Sequence, residues 1–324
     1  MHREVNRLQH RHLVDGPSWR SHTTVLGNPG VQKRRAEVRR ASPPRPSLLV
    51  GDLAACHDAF SKLQQRVAQL LEASGPAASQ ADWEPLVVRC RALRESLMSL
   101  GRLDAFAMRV FEVSADVCLR ARDFSEFLKS ARHLLHDIYP TLASQQAMEA
   151  NAALEAVSSR LANTRIAACE RWAEFAGNFL LYFICVPAKT QGLDVVSVLR
   201  GLPHSLQRCS HVQFATSVKC ALQAGDFTSF FKLHRRASWS QRTLLDLKLV
   251  QMRAWTVSVL ASAYRTLSCR SAWRMLALNS GCPQAELLAL LKANAESGNA
   301  AAANAYSALQ MEDPNVQALL VFKS

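Results

Sequence analysis

The sequence predicts an all-α fold, a helical-repeat solenoid followed by a C-terminal winged helix, and three observations carry that prediction. Glycine and proline number only 12 each in 324 residues, and apolar residues recur at helical spacing from Leu49 onward. An eleven-residue segment repeats within the chain. The final stretch reads as two short helices and then a terminal hairpin, the order of a winged helix. The expected organisation is a disordered basic arm over 1–48, a helical-repeat domain over 49–262 and a winged-helix domain over 263–324.

The arm shows no sustained period and ends in ASPPRPS. It carries ten Lys or Arg and three Asp or Glu, so it holds +7 of the chain's formal net charge of +13. Such a basic balance points to an acidic partner: nucleic acid, an anionic membrane surface or an acidic protein. Lys33, Arg34, Arg35, Arg39 and Arg40 form two clusters that read as a nuclear-localisation or phosphate-contacting patch, or as a solvated tail. An Arg-rich, acid-poor start also imitates a mitochondrial presequence. Ser42, after Arg39 and Arg40, is a candidate phosphate acceptor of a commonly occurring kind.

Beyond the arm, Phe106, Val110, Val113 and Val117 mark one helix. From Ser125 to Tyr139 the stripe Phe127, Leu128, Ala131, Leu134, Leu135 and Ile138 marks the next as amphipathic. Between them Asp123 and Glu126 form a D-x-x-E pair suited to capping the second helix. LRARDFSEFLK, from Leu119, then aligns without gaps on LQAGDFTSFFK, from Leu222, at an offset of 103. Each copy reads as a helix end, a tight turn, an Asp cap and a Phe-rich face that packs back. Two such hairpins suggest a stacked, tetratricopeptide-like solenoid, with Phe227, Phe230 and Phe231 in its core rather than on a base-stacking surface. A long helix is expected from Trp239 towards Leu267, a short one over Ala272 to Asn279, and another over Ala285 to Ala295 behind Gly281 and Pro283. SGNAAAANAYSALQ is low in complexity. A turn at Asp313, Pro314 and Asn315 leads into the β-prone run Val316 to Phe322.

Nine cysteines stand singly, with no C-x-x-C, which argues for reduced thiols and against a disulfide framework or a zinc site. The first fifteen residues do not read as a secretory signal. The longest apolar run, Phe179 to Ala188, is about half of the ~20 residues a membrane span requires and reads as a buried helix or helix end, so no membrane partner is expected. No G-x-S-x-G, P-loop or H-E-x-x-H occurs, and no catalytic residue, metal or cofactor is implied. His133, His136 and Asp137 read as an exposed helix face rather than a metal site.

VFEVSADVCLRARDFSEF, from Val110, resembles a family pattern V-Y-E-x-x-A-x-x-A-L-x-x-x-D-x-x-E-F through Val110, Phe111, Glu112, Ala115, Asp123, Glu126 and Phe127. FLLYFI from Phe179, VSVLRGLP from Val195, and VQFATSVKCALQAGDFTSFFKLHRRAS from Val212 resemble further blocks of the same family. Together they resemble the GANP-type family of PCI-domain proteins, also called the SAC-three, GANP and THP-three family, over roughly Arg45 to Phe322. The Cys-Pro segment of the larger export scaffolds has no counterpart, so the branch similar to THP-three and to leukocyte receptor cluster member eight fits better. The wing departs from the pattern too, being lengthened by alanines.

The resemblance implies a non-enzymatic, PCI-like nuclear scaffold in mRNA processing, export or transcription elongation. It would bind a second PCI-domain subunit, a small acidic cofactor protein, and RNA or DNA. Alternatives are a subunit of the proteasome lid, the signalosome or a translation initiation factor, or a protein-only helical adaptor. The family's nucleic-acid contacts are spread over basic residues, for which the candidates are Lys232, Arg235, Arg236, Arg242, Lys248, Arg270 and Arg274, each alternatively a solvated surface cation. Pro283 to Ala295 carries Lys292 as its only cation, beside Glu286, and lacks the forks that read base edges, so backbone or protein contacts are expected there.

If the arm directs nuclear residence, deleting residues 1–48 shifts a fluorescent fusion towards the cytoplasm and leaves the remainder folded. Mitochondrial accumulation of the intact protein would instead support the presequence reading.

Overall fold

The computed structural model describes residues 52–74, 79–154, 170–186, 195–278, 283–311 and 319–321. All lie in the compact unit Pro46–Ser324. The basic arm, its clusters at Lys33–Arg35 and Arg39–Arg40, and the turn at Asp313–Asn315 fall outside the described residues. Five helices open the described chain: α1 (Leu53–Ser74), α2 (Gln80–Ser99), α3 (Ala105–Arg120), α4 (Phe124–His133) and, after a π turn at Leu134–Ile138, α5 (Tyr139–Leu154). Six more follow: α6 (Glu170–Cys185), α7 (Val195–Gly201), α8 (His204–Gln207), α9 (Ser210–Ala224), α10 (Phe227–Arg236) and α11 (Trp239–Ala263). The C-terminal part runs β1 (Thr266–Ser268), α12 (Cys269–Leu276), α13 (Pro283–Glu296), α14 (Ala300–Met311) and β2 (Leu319–Val321). The described chain is thus mostly helical.

The two repeat copies form the same local structure. In each, an Asp closes the turn: Asp123 accepts from the Glu126 amide at 3.1 Å and Asp226 from the Ser229 amide at 3.0 Å. The residue before the cap is left-handed, Arg122 at φ 54° and Gly225 at φ 65°. The amides of Asp123 and Asp226 both return to a carbonyl five residues back, at 2.9 Å, which satisfies the preceding helix end. Phe127 and Phe230 are fully buried at equivalent places. Glycine is required in the second copy, because the Trp255 indole donates to the Gly225 carbonyl at 3.0 Å and a Cβ there would meet Nε1 at 3.0 Å. In the first copy the strained position carries Arg122, whose guanidinium reaches Asp246 on α11 at 3.3 Å. The other oxygen of Asp246 lies 2.8 Å from His234 Nε2, so one carboxylate serves both copies.

Glu126 does not complete the expected cap. Asp123 already takes the amide, and the Glu126 side chain is buried against α2, where it accepts from Arg91 at 2.7 Å, from Lys129 at 2.8 Å and from the buried Arg94. Burial raises the Glu126 carboxyl, but the hydrogen bonds from Lys129 and Arg94 and the Arg94 charge overcome it and hold the group at about 2. A second hub forms around Arg171 on α6, which meets Asp116 at 2.9 Å, Glu112 at 3.4 Å and Glu174 at 3.4 Å, while Tyr139 donates to Glu112 at 2.7 Å. Here burial wins: the Asp116 carboxyl is pushed up to about 6 despite Arg171.

The expected single helix from Ser125 to Tyr139 is interrupted by the π turn, which places Leu134, Leu135 and Ile138 in the core. His133 is consequently not on an exposed face: it packs 4.7 Å from the Phe111 ring and contacts Asp137 at 2.6 Å, while His136 and Asp137 remain exposed. The apolar run from Phe179 is the end of α6, with Phe179, Leu180, Leu181 and Cys185 buried. No described helix is long and apolar enough to cross a membrane.

Two apolar cores result. The larger is built around Leu97, Phe111, Phe127, Phe175, Leu180 and Phe230; the smaller around Val257, Leu260, Leu276, Leu287, Leu291 and Ala305. Helix α11, about 38 Å long at 1.5 Å per residue, gives Leu244, Leu245 and Met252 to the first and Val257, Leu260 and Ala261 to the second.

The C-terminal part departs from the sequence expectation in three ways. Helix α12 starts at Cys269 rather than Ala272, because Ser268 caps it through the Ser271 amide, and Leu267 falls in β1 rather than at the end of α11. The alanine-rich stretch is helix α14, not a lengthened wing; alanine is the best helix former, and Asn299 caps the helix by accepting from the Ala302 amide at 3.1 Å. Strand β2 pairs antiparallel with β1, Thr266 opposite Val321 and Ser268 opposite Leu319, rather than with a neighbour in a terminal hairpin.

Phe230→Ala should lower stability by about 3 to 5 kcal/mol, since the ring is fully enclosed; chemical denaturation measures it, and an unchanged midpoint refutes a core role. The two hubs predict opposite pH dependences. Glu126, lowered on folding, stabilises above its unfolded value of 4.5, and that contribution is lost as pH falls towards about 2. Asp116, raised on folding, favours the fold below 3.8, and that contribution is lost as pH rises through about 6. Glu126→Gln should flatten the acid limb of a melting-temperature profile, and Asp116→Asn the slope between about 4 and 6.

Candidate nucleic-acid interface

Helices α10 and α11 meet at a corner made by Ala237 and Ser238 alone, and four of the predicted cations stand around it. Lys232, Arg235 and Arg236 are exposed on the last two turns of α10, where positive charge complements the negative end of the helix dipole. Arg242, one turn into α11, donates to the carbonyls of Arg235 at 3.4 Å and Ala237 at 3.3 Å. It therefore caps α10 while its charge remains at the surface. Lys232 and Arg236, one turn apart, line a shallow groove between α9 and α10 with Thr216, Ser217 and Ser229. The only carboxylate in that lining is Asp226, held below its usual range by the Ser229 hydroxyl and amide, with Lys232 adding. Among the described residues none of these four cations forms an ion pair.

The structure does not join the other three candidates to this corner. Lys248 lies about 120° around α11 from Arg242; it is half-buried, donates to Gln251 at 3.4 Å and bears on Cys185 of α6. Arg270 and Arg274 are exposed one turn apart on α12, in the part built on the second core. On α13 Lys292 is exposed, and Glu286 faces Arg253 at 3.8 Å.

Sequence reasoning passed over two residues, Trp239 at the corner and Arg253 farther along α11. Trp239 follows Ser238 and is 39% exposed, with the Arg120 guanidinium 4.1 Å from its ring centre; the same guanidinium lies 5.1 Å from Trp83. Arg253 donates to the carbonyls of Leu276 at 3.2 Å and Ala277 at 2.9 Å, tying α11 to the end of α12. The signal for Trp239 was its place against the basic run; for Arg253 there was none, because its acceptors are backbone groups over twenty residues away.

Most of the described thiols are buried away from this surface. Cys56, Cys90, Cys118, Cys185 and Cys269 are buried, and burial pushes Cys90 and Cys185 up to about 12. Cys220, on the α9 side of the groove, is exposed. Among the described residues no three His, Cys, Asp or Glu side chains converge as metal ligands.

A search among curated proteins found no match. A sequence profile described as the SAC3/GANP family matches residues 89–294. That span takes in both repeat copies, both charged hubs, the α10–α11 corner and the start of the second core, and it exceeds half of the chain. The chain belongs to the SAC3/GANP family.

Proposed function

We propose that this protein is a non-enzymatic PCI-type scaffold subunit of a nuclear complex in mRNA processing, export or transcription elongation, of the branch similar to THP-three and to leukocyte receptor cluster member eight. It binds a second PCI-domain subunit, a small acidic cofactor protein and, jointly with the second subunit, RNA or DNA. Family membership supports the scaffold role, being consistent with mRNA export complexes.

The observation that carries the nucleic-acid part is the α10–α11 corner. Lys232, Arg235, Arg236 and Arg242 gather there without a paired carboxylate among the described residues. Phosphate contacts need positive charge at a surface and carry no base code, so this arrangement suits backbone binding without sequence preference. Arg270 and Arg274 extend the proposal to α12.

Affinity purification with mass spectrometry tests the assembly: a second PCI-domain subunit with a small acidic protein supports it, whereas recovery of lid or initiation-factor subunits overturns it. For the surface, the lone chain should bind single-stranded RNA weakly and the heterodimer more tightly, both with strong salt dependence. Arg235→Glu with Arg236→Glu should weaken binding alike for unrelated sequences and reduce the salt slope by roughly 1 to 2. No affinity of the heterodimer for RNA or DNA at low salt makes the protein a protein-only adaptor.

A further inference from the structure

The α10–α11 corner reads Arg235-Arg236-Ala237-Ser238, and the same four residues stand at Arg39–Ser42. We infer that Ser238 is a phosphate acceptor for a basophilic protein-serine kinase, and that its phosphoester switches off the anion-binding surface made by Arg235, Arg236 and Arg242. Kinases of this class select two arginines placed two and three residues before the serine, because guanidinium forks pair with carboxylates in the kinase cleft.

The fold presents this serine for such an enzyme. Ser238, Arg235 and Arg236 are all exposed. Ala237 at ψ 140° and Ser238 at ψ 168° are already extended, as a bound substrate strand must be. Behind them the bonds that close the end of α10 are all long, the Ala237 amide on the His234 carbonyl at 3.4 Å and the Arg242 guanidinium on the carbonyls of Arg235 and Ala237 at 3.4 and 3.3 Å. Ser238 Oγ caps α11, accepting from the Gln241 amide at 3.3 Å, and lies 3.1 Å from Ser240 Oγ.

In the reaction Ser238 Oγ attacks the γ-phosphorus of ATP. The new O–P bond forms as the bond to the β-phosphate oxygen breaks, ADP leaves, and the hydroxyl proton passes to the kinase's catalytic carboxylate. The product carries about −1.5 to −2 charges at the first turn of α11, one turn from Arg242 and next to Arg235 and Arg236. It is favoured there by the amides of the helix start, and it offsets about half to two thirds of the positive charge of the three arginines. This switching effect rests on the nucleic-acid reading above; the acceptor itself does not.

The test uses the purified full-length chain carrying Ser42→Ala, incubated with ATP and the catalytic subunit of the cyclic-AMP-dependent kinase, with sites and stoichiometry read by mass spectrometry. Ser238 should be phosphorylated to near completion in the folded chain. The chain with Ser42→Ala and Ser238→Asn should take none, and its asparagine keeps an N-cap acceptor so that the fold is retained. Arg235→Ala with Arg236→Ala, checked for native circular dichroism, should slow incorporation roughly tenfold or more, two charge-assisted pairs being lost. No phosphate at Ser238, or phosphate only after heat unfolding, overturns the acceptor. The phosphorylated chain should then bind a single-stranded RNA of about 30 nucleotides roughly tenfold more weakly at low salt. Equal binding overturns the switch. If neither form binds RNA, the nucleic-acid reading and the switch both fall while the acceptor stands.

Discussion

Helix α11 is the constraint on which the rest of this fold depends, because it must close one core and found another. Leu244, Leu245 and Met252 complete the larger core, and one to two turns later Val257, Leu260 and Ala261 begin the smaller one. A helix buried on different sides at its two ends cannot keep a single apolar stripe. Its polar residues are tied to particular neighbours instead. Asp246 holds Arg122 of the first repeat copy and His234 of the second, and Arg253 caps α12 and faces Glu286 of α13. Trp255, on a neighbouring turn, donates its indole N–H to the Gly225 carbonyl in the turn of the second repeat copy. Moving α11 would break contacts at both cores, so the helix fixes how the α10–α11 corner and α12 are held.

What was legible in the sequence was what local chemistry decides. Asp123 and Asp226 announce helix starts because a short carboxylate bonds an amide three residues on, and the match of Phe127 to Phe230 follows from the same turn. Glu126 was misread for an instructive reason. Its spacing from Asp123 is that of a capping box, but Arg91 and Arg94, more than thirty residues upstream, offer a partner that no local pattern displays. The pairing of Thr266–Ser268 with Leu319–Val321 was hidden likewise, by the length of chain between the strands. With α14 the composition misled, since a run of alanines looks like filler although alanine has the highest helix propensity of all residues. At the candidate surface the four cations around the corner were legible as charge. That Lys248 does not stand with them was not, because nothing in the charge pattern shows its turn of about 120° around α11 from Arg242.

The two charged hubs show why the motif acids have to be read with their partners. Glu126 is surrounded by Arg91, Arg94 and Lys129, an excess of cations, and is held ionised. Glu112, Asp116 and Glu174 share the single Arg171, an excess of anions, and Asp116 is pushed towards protonation. Neither hub is cheap, since desolvating charge costs several kcal/mol per ion and pairing recovers it only with good geometry. Both connect elements distant in sequence, α2 to α4 and α3 to α6, and hydrophobic contact alone would leave the register of those helices less sharply defined.

The α10–α11 corner differs from both hubs in that, among the described residues, none of its four cations is paired with a carboxylate. One cation near the end of α10 would answer the helix dipole, and Arg242 already answers the free carbonyls of Arg235 and Ala237. Arg235, Arg236 and Lys232 are therefore more positive charge than the helix end requires, and like charges so close repel one another. Two arginines elsewhere, Arg94 and Arg171, are instead set against carboxylates that are themselves buried, Glu126 and Glu112. Leaving the corner unbalanced stores an electrostatic cost that an incoming anion relieves on contact, and the same reasoning applies whether the anion is a phosphodiester from a partner strand or a phosphate fixed to the chain itself.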